Sequence, residues 1–515
     1  WHPTPHLHAI LALQTTIVFV VALDSTILTL TLPTIAHALA TTTTTQALWL
    51  LTAYLLASAT IQPLTAPLSD ILGRRTIFFA SLLLFTTGTL ICASAHTVAQ
   101  MLAGRVVQGL GGGGILSVNL IILSDLIPLR HRARYVGIVQ GVNSLAVNFG
   151  PLIGGAVVTR GGSSWRWVFY LNLPFCGVGL VGIWALLRYV RAEEEEEEVV
   201  VGGWLRRVDW VGSAGFVVGV TGVLLGVSWG GNEFAWGDAA TWVPILGGAV
   251  VVALALAWER CGGARRPFLR LEVFAGWEAA AVYGCTVLQS LTLFAATYFL
   301  PLYLLTVPLH PPLIAGTIFL SYSFAVVPVS GITGHLITTF GSYKWAIFTG
   351  WLVNTLGLGA FMTLDQNTYL PGLVFVAAVA GSGQGLLFMA HQVAAQAGCK
   401  ARDVGYASAM FSFARSFGFC LGIAIGGTIF QNFLRQRLSA LNLPAVLAKD
   451  SEAFAAVLRA MPASTERAAI VSAYAWAFRY LWAAMCGISG VGFVLSFGIR
   501  EHTLDVELDT AHNLV

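Results

Sequence analysis

The chain alternates between long apolar stretches and short polar segments. No Asp, Glu, Lys or Arg occurs in residues 25–69, 76–104, 135–159, 167–187, 210–232, 279–343 or 366–399. A helix that crosses a bilayer needs about 20 consecutive, mostly apolar residues. Polar or proline-containing breaks divide the longer stretches, and the pattern therefore predicts fourteen transmembrane helices. Their predicted bounds are 9–31, 46–68, 76–96, 99–123, 135–158, 167–188, 208–229, 241–258, 279–304, 312–338, 345–363, 371–396, 404–430 and 475–498.

The composition excludes an ordinary soluble protein. Hydrophobic residues make up 57% and charged residues 10% of the 515 positions, whereas a soluble domain carries about 25% charged residues. The seven cysteines include no CxxC pair, so neither a disulfide framework nor a zinc site is predicted. The chain begins at Trp1 rather than Met, which leaves its natural start open. Its first apolar run is long enough to span and has no small-residue cleavage site, so no removable signal peptide is expected.

The basic residues predict the orientation in the membrane. If both termini are cytoplasmic, the inner segments hold seventeen of the 27 Lys and Arg residues, and the short outer loops hold only Arg160 and Arg166. Cytoplasmic loops carry such an excess of positive charge. The inner segment 189–207 contains six consecutive glutamates, Glu193 to Glu198, and is expected to be a solvated linker. For the long outer segment, 431–474, a cap over the outer mouth and a passive surface loop fit equally well.

An internal repeat divides the chain into two related halves. Gly73 at the end of span two has a counterpart in Gly341 at the end of span ten, and Gly150 in span five has one in Gly422 in span thirteen. Two related halves around a site at the bilayer midplane are typical of secondary transporters. We therefore predict an all-α membrane protein of 6+2+6 spans. Its predicted parts are an N-terminal six-helix bundle (1–191), an acidic linker (192–207), two additional transmembrane helices (208–260) and a C-terminal six-helix bundle (261–515).

Asp24, Arg105 and Arg415 are ionisable residues inside predicted spans. Asp24 lies in span one, where an ionised carboxylate is costly unless it is paired, so burial favours a protonated side chain that can carry a proton. Arg105 in span four marks either a functional site or buried pair, or a side chain that reaches the outer face about 9 Å away. For Arg415 in span thirteen, a buried partner and an anionic ligand group are both compatible with the sequence.

Span five carries glycines that favour close packing of helices. Gly137, Gly150, Gly154 and Gly155 remove side chains from the helix surface, and Pro151 predicts a kink. This arrangement would set how tightly an outer gate closes. Polar residues that apolar helices otherwise avoid are candidates for the wall of a substrate cavity: Gln108, Asn143, Asn148 and Gln289.

Taken together, these motifs resemble the major facilitator superfamily, and within it the fungal branch of the fourteen-span drug:proton antiporter family. Residues 23–33, 68–75 and 105–113 resemble the motifs of span one, the loop after span two and span four. Residues 137–155 resemble the antiporter motif of span five. The resemblance implies the major facilitator fold and antiport, with proton coupling by Asp24 and Arg105. It also implies a conformational switch built from Asp70, Gly73, Arg74, Arg75 and Asp125.

The expected function is proton-coupled export of amphipathic organic compounds such as drugs, toxins or secondary metabolites. Its partners are the small-molecule substrate, protons and the lipid bilayer. No nucleotide is expected, since no GxxxxGK[ST] loop occurs. No nucleic acid, metal or other cofactor is expected either. An enzyme is not expected, since no HExxH motif or nucleophile constellation occurs in the spans. Two alternatives remain: a vacuolar basic amino-acid transporter of the same fold, and a transport-inactive membrane sensor. The plasma membrane is expected rather than the vacuolar membrane.

Overall fold

The computed structural model is almost entirely α-helical. It describes residues 3–39, 44–158, 165–187, 189–191, 209–230, 234–261, 268, 274, 276–366, 368–400, 403–444, 454, 457–459, 461–504 and 512–514. The helices are α1 (Pro5–Ala38), α2 (Thr44–Leu72), α3 (Arg74–Ala93), α4 (Val98–Leu126), α5 (Leu129–Val158), α6 (Trp167–Tyr170), α7 (Asn172–Leu186), α8 (Trp210–Trp229), α9 (Ala239–Arg260), α10 (Trp277–Thr306), α11 (Pro312–Phe340), α12 (Lys344–Phe361), α13 (Leu370–Ala397), α14 (Val404–Ala440) and α15 (Thr465–Ser496).

These helices are consistent with the predicted fourteen spans. Eleven of the described helices are long and apolar enough to cross a membrane. The three further long helices, α2, α5 and α12, pack among them. Span six corresponds to the short α6 followed by α7. A helix suits this setting because it satisfies its own backbone hydrogen bonds in a medium without water. The all-α membrane fold predicted from the sequence is therefore confirmed.

The helices beside the predicted outer segment are longer than expected. The sequence places the end of span thirteen at 430, but α14 continues to Ala440. Likewise, span fourteen is predicted to begin at 475, but α15 begins at Thr465, where the Ser464 hydroxyl accepts a hydrogen bond from the Arg467 amide. Apolarity reports only the part of a helix that lies in lipid, whereas backbone hydrogen bonding continues beyond it. The segment between these two helices is therefore much shorter than 431–474.

The acidic linker, 192–207, lies outside the described residues. Just before it, β1 (Tyr189–Arg191) forms a three-residue antiparallel ladder with β2 (His512–Leu514). This small ladder is an addition to the predicted all-helical chain. The inserted pair α8 and α9 pack against each other, and α8 also contacts α2 and α14. The inserted helices therefore lie beside the junction of the two bundles.

The second bundle repeats the packing of the first helix by helix. In the first bundle α4 packs on α2 and α3, and α5 packs on α1; in the second, α13 packs on α11 and α12, and α14 packs on α10. Matching glycines make these contacts. A Cβ added at Gly109 would lie 2.5 Å from the carbonyl oxygen of Tyr54, and one added at Gly381 would meet the same atom of Tyr322. Both contacts require a residue without a side chain.

The contact between α5 and α1 fixes the register of the repeat. Gly154 lies against the carbonyl oxygen of Ile27, and a Cβ at its structural counterpart Gly422 would lie 2.6 Å from the carbonyl oxygen of Leu291. By the same criterion, Gly150 corresponds to Gly418. The structure therefore shifts the glycine alignment by one helical turn from the one expected from sequence, where Gly150 was matched to Gly422. The repeat of glycines every four residues hides such a one-turn shift in the sequence.

Candidate functional site

A buried ion pair between α1 and α4 lies inside the first bundle. The Arg105 Nη1 is 2.7 Å from the Asp24 Oδ2, and both side chains are 0% exposed. Asp24 and Arg105 were each expected to be costly when buried alone. Pairing offsets that cost, since a buried charge is tolerated when an opposite charge and hydrogen bonds accompany it. Of the two alternatives left open for Arg105, the structure shows the buried pair, because the whole side chain lies inside the bundle.

Further hydrogen bonds hold the ion pair in place. Asn172 of α7 donates its amide N–H to the Asp24 Oδ1 at 2.8 Å. Arg105 donates from Nε to the carbonyl oxygen of Leu50 at 3.1 Å and from Nη1 to the Gln108 Oε1 at 2.7 Å. The guanidinium also lies 4.4 Å from the centre of the Tyr54 ring. Helices α1, α2, α4 and α7 thus all contribute to this site.

Gln108 belongs to the same network. Its amide nitrogen donates to the Thr89 hydroxyl of α3 at 2.8 Å, while its oxygen accepts from Arg105. The structure therefore places Gln108 between α3 and α4, at the ion pair, rather than alone on a cavity wall. We call the group Asp24, Arg105, Gln108, Thr89 and Asn172 the charge network.

Among the described residues, the charge network has no equivalent in the second bundle. The register of the repeat places Leu288 at the position of Asp24 and Ala377 at the position of Arg105. Gly88 packs on the backbone of Gln108 in the same way that Gly357 packs on Ala380. The helix framework is therefore shared by both halves, but the ion pair belongs to the first half alone. Since the second bundle has the same helix packing without this ion pair, Asp24 and Arg105 indicate a functional role.

The signature loop between α2 and α3 forms a second cluster of charges. Gly73 has φ +89°, a conformation that other residues rarely adopt, and it allows α3 to begin directly after α2 ends. Arg74 is paired with Asp70 at 2.5 Å and, through its Nε, with Asp125 of α4 at 2.9 Å. Arg75 points elsewhere and donates to the carbonyl oxygen of Trp184 at 2.7 Å. The structure thus brings together Asp70, Arg74 and Asp125 and separates them from Arg75.

Contacts between the two bundles occur near this same end of the molecule, which we call the arginine-rich end. Arg132 of α5 donates to the Gln396 Oε1 of α13 at 2.9 Å, and Arg130 donates to the carbonyl oxygen of Thr338 at 3.3 Å. Where α14 begins, a Cβ added at Gly405 would lie 3.3 Å from the Arg74 Nη2. Arg74 is therefore within reach of the second bundle.

The glycines of α5 serve two different contacts. Gly150 and Gly154 pack against α1 within the first bundle, whereas Gly137 faces α11 of the second bundle, where a Cβ added at Gly137 would lie 3.5 Å from the Cα of Gly331. Pro151 and Gly155 lie within α5, but their side-chain surroundings are outside the described structure, as are those of Asn148. The helix is continuous from Leu129 to Val158, across the Gly-Pro step.

The remaining cavity candidates lie in different surroundings. Asn143 is half-buried on α5. Gln289 of α10 is buried and donates to the Gln384 Oε1 of α13 at 3.0 Å, and Gln384 in turn donates to Asn354 at 3.0 Å. Arg415 of α14 is 5% exposed, and its guanidinium lies 4.7 Å from the centre of the Phe388 ring. Gln108 and Gln289 thus each belong to a polar group, one in each bundle, whereas Arg415 lies beside an aromatic ring.

Several residues of these networks were missed by sequence reasoning. Asn172 and Thr89 complete the charge network, and Gln384 and Asn354 connect α10, α13 and α12. Each is a polar residue inside an apolar helix, which is a signal that the sequence did contain. Within the described ranges, no group of three or more His, Cys, Asp or Glu side chains is placed to hold a metal ion.

Comparison with known proteins identifies the class. Residues 15–275 match the model of the Major Facilitator Superfamily, and the chain belongs to this family. It is therefore a multi-pass integral membrane transporter and not an enzyme. The chain is 37% identical over 96% of its length to MFS transporter L2 from Phoma sp., covering 82% of that protein. It is 31% identical over 96% of its length to efflux pump FUS6 from Gibberella moniliformis, covering 88% of that protein.

Solved structures show the same fold at low sequence identity. The proton:xylose symporter XylE superimposes with a TM-score of 0.59 at 13% identity, over 98% of each chain. The human organic anion transporter MFSD10 superimposes with a TM-score of 0.57 at 14% identity, over 96% of this chain and 100% of that one. At this identity the likeness shows the fold alone. The major facilitator fold expected from the sequence motifs is thus confirmed.

Proposed function

We propose that this protein exports small amphipathic organic compounds, including fungal secondary metabolites, in exchange for protons. The observation that carries the proposal is the Asp24–Arg105 ion pair, fully buried in the first bundle of a major facilitator transporter. Relatives at about the same length include proteins named as efflux pumps, and this similarity supports the direction of transport. The arginine-rich end is taken as cytoplasmic because positive charge accumulates on that side.

In this mechanism the proton competes with Arg105 for Asp24. Protonation of the Asp24 carboxyl removes its negative charge, so the ion pair is lost and Arg105 retains only neutral acceptors such as the carbonyl oxygen of Leu50. A change of charge at a point where α1, α4 and α7 meet alters the stability of their packing. Release of the proton to the cytoplasm restores the pair. Asp24 therefore gives the proton gradient a means of driving the alternation between two conformations.

The contacts between the bundles favour an assignment of the observed conformation. Arg132–Gln396 and Arg130–Thr338 join the two bundles at the arginine-rich end. We infer that this end is closed and that the structure is the outward-facing state, in which Asp24 would exchange protons with the outer side. Asp70, Arg74 and Asp125 would form the latch that makes and breaks as the bundles rock. The plasma membrane and cytoplasmic termini are part of the same proposal.

A basic amino-acid cargo is less well supported. A cationic substrate needs an acidic partner in the transport pathway, and Asp24 is already held by Arg105 and Asn172. Arg415 adds a buried positive charge in the other bundle. The buried charges of Asp24, Arg105 and Arg415 therefore favour neutral or anionic cargo over arginine or lysine.

Efflux from cells tests the proposal. Cells with and without the protein are loaded with a panel of fluorescent amphipathic compounds, and retention is measured with the proton gradient intact and after an uncoupler is added. Wild-type protein is expected to lower retention only while the gradient is intact. Asp24→Asn is expected to abolish this effect, and Asp238→Asn, which changes an exposed carboxyl in the loop before α9, is expected to retain it. Gradient-independent efflux, or full activity of Asp24→Asn, would refute proton coupling through this residue.

A further inference from the structure

Arg415 is a buried cation without an acidic partner among the described residues. Its side chain is 5% exposed, and neither its Nε nor its Nη1 makes a hydrogen bond. The guanidinium is instead surrounded by aromatic rings, with centres 4.7 Å away at Phe388, 6.0 Å away at Phe411 and 5.9 Å away at Phe419. Ring faces attract the charge, but they leave the N–H donors at the edge of the planar guanidinium unused.

The position of Arg415 is close to the seam between the two bundles. Arg415 lies eleven positions after Val404, where α14 begins. This distance corresponds to about 16 Å along a helix and hence to the middle of the bilayer. The next residue, Ser416, accepts a hydrogen bond of 2.8 Å from the Gln62 amide of α2. Three residues after Arg415, Gly418 packs against α10. The Arg415 face of α14 therefore lies between α10 of its own bundle and α2 of the other.

Other unpaired polar groups occur on the neighbouring helices. The Ser290 hydroxyl of α10, which lies beside Gly418, is buried and has no hydrogen-bond partner. The Gln392 amide of α13, one turn after Phe388, is buried with neither its oxygen nor its nitrogen paired. Buried polar groups in proteins are nearly always hydrogen-bonded. Unused donors on three adjacent helices therefore indicate a binding site for a polar ligand group.

Comparison of the two halves of the internal repeat indicates that the helix packing does not require an arginine at position 415. Since Gly418 corresponds to Gly150, Arg415 corresponds to Val147 of α5. A valine at the equivalent position supports the same packing in the first bundle, so the framework has no need of an arginine there. Arg415 must therefore serve something outside the packing of the helices.

We propose that Arg415 binds a carboxylate group of the exported compound, and that Phe388, Phe411 and Phe419 bind the aromatic or apolar part beside it. A guanidinium matches the two oxygens of a carboxylate with parallel hydrogen bonds. Ser290 supplies a further donor. Phe419 is itself stacked on Phe294, with ring centres 4.7 Å apart, which gives the site a broad aromatic wall. This proposal rests on the proposed export function and narrows its substrate class to amphipathic organic acids.

Matched ligands test the proposal directly. Purified full-length protein in detergent is studied by equilibrium dialysis with tritiated naphthalene-2-acetate, biphenyl-4-acetate and indole-3-acetate, each alongside its primary amide. The acid and the amide share shape and apolar area and differ in charge. We expect wild-type protein to bind at least one acid tenfold or more tightly than its amide. Arg415→Gln is expected to remove this preference, and Arg415→Lys, which keeps the charge but not the planar fork, is expected to keep part of it.

Arg437→Gln is the matched control. Arg437 also lies on α14 and stands over an aromatic ring, Trp476, with an unpaired Nε, but it is 22 residues further along the helix. Its substitution should leave the preference for the acid unchanged. Equal binding of acid and amide by wild-type protein, binding of neither, or an unchanged preference in folded Arg415→Gln would each overturn the proposal. Asp24→Asn separates the two proposals, since it is expected to abolish driven efflux while acid binding persists.

Discussion

At the scale of single residues, buried charge is the main feature of this transporter. Asp24 and Arg105 are placed where neither would be stable alone, and each compensates for the other. Breaking a buried pair by removing one partner costs about 3–5 kcal/mol, because the remaining charge loses its compensation. Replacing both partners by neutral residues costs less, because no charge is left behind. This asymmetry distinguishes an ion pair from two independent polar residues.

A double-mutant cycle measures this coupling. Asp24→Asn leaves Arg105 unpaired, and Arg105→Gln leaves Asp24 unpaired, so each single change is expected to lower the melting temperature of the purified protein. The double variant is expected to be more stable than the sum of the two changes predicts, by roughly 1–3 kcal/mol of coupling. The readout is thermal unfolding in detergent at constant pH. Strictly additive effects would contradict a stabilising ion pair in the folded protein.

At the scale of elements, glycines determine how closely helices approach. Gly154 of α5 lies on the backbone of Ile27 in α1, and Gly422 of α14 makes the equivalent contact with Leu291 in α10. A backbone atom cannot move aside as the end of a side chain can. The two helix pairs are therefore separated by any added methyl group. Since α1 also carries Asp24, this contact bears on the position of the charge network.

Gly154→Ala is expected to destabilise the protein by about 1–3 kcal/mol, since overpacking at a backbone contact forces α1 and α5 apart. Gradient-driven efflux is expected to fall with it. Gly427→Ala on α14 is the control, because a Cβ there meets nothing within 4 Å, and it should behave like wild type. Melting temperature and efflux are measured on both variants. Equal tolerance of the two substitutions would show that α1 and α5 are not held at this distance.

At the scale of the whole molecule, the two bundles meet at the arginine-rich end. A single cluster of buried apolar residues continues across the junction, with Ala133 of the first bundle and Ile337 of the second among its members. A Cβ added at Gly334 of α11 would lie 2.5 Å from the carbonyl oxygen of Ala133. This backbone contact joins the two bundles at the same end where Arg130 and Arg132 also bridge them.

A bulky residue at this contact should act as a wedge. Gly334→Leu is expected to shift the population towards the conformation open at the arginine-rich end and to reduce efflux. Gly316→Leu, near the other end of the same helix and with nothing within 4 Å of its Cβ position, is the control. Electron–electron distances between spin labels on the two bundles at this end would report the change. No increase for Gly334→Leu relative to Gly316→Leu would contradict the closed state proposed for this end.

The sequence alone was sufficient for the all-α membrane class and the family, and its fourteen predicted spans are consistent with the described helices. Apolar stretches of sufficient length must become helices in lipid, and the motif spacings resemble only one superfamily. It also singled out Asp24, Arg105 and Arg415, since ionisable residues in apolar spans are conspicuous without any coordinates. The ends of α14 and α15 could not be predicted in the same way, because hydropathy does not report the helical turns that continue past the apolar stretches.

Tertiary structure decided which of these residues meet. Asp24 and Arg105 are 81 residues apart in the chain, and no periodicity relates them; only the packing of α1 on α4 makes them a pair. The same packing assigns Gln108 to that pair, aligns Gly150 with Gly418, and leaves Arg415 without a counter-charge among the residues described. The physical reason is that hydropathy and glycine spacing determine which face of a helix packs, whereas the partner of that face depends on the arrangement of all the helices in the bundle.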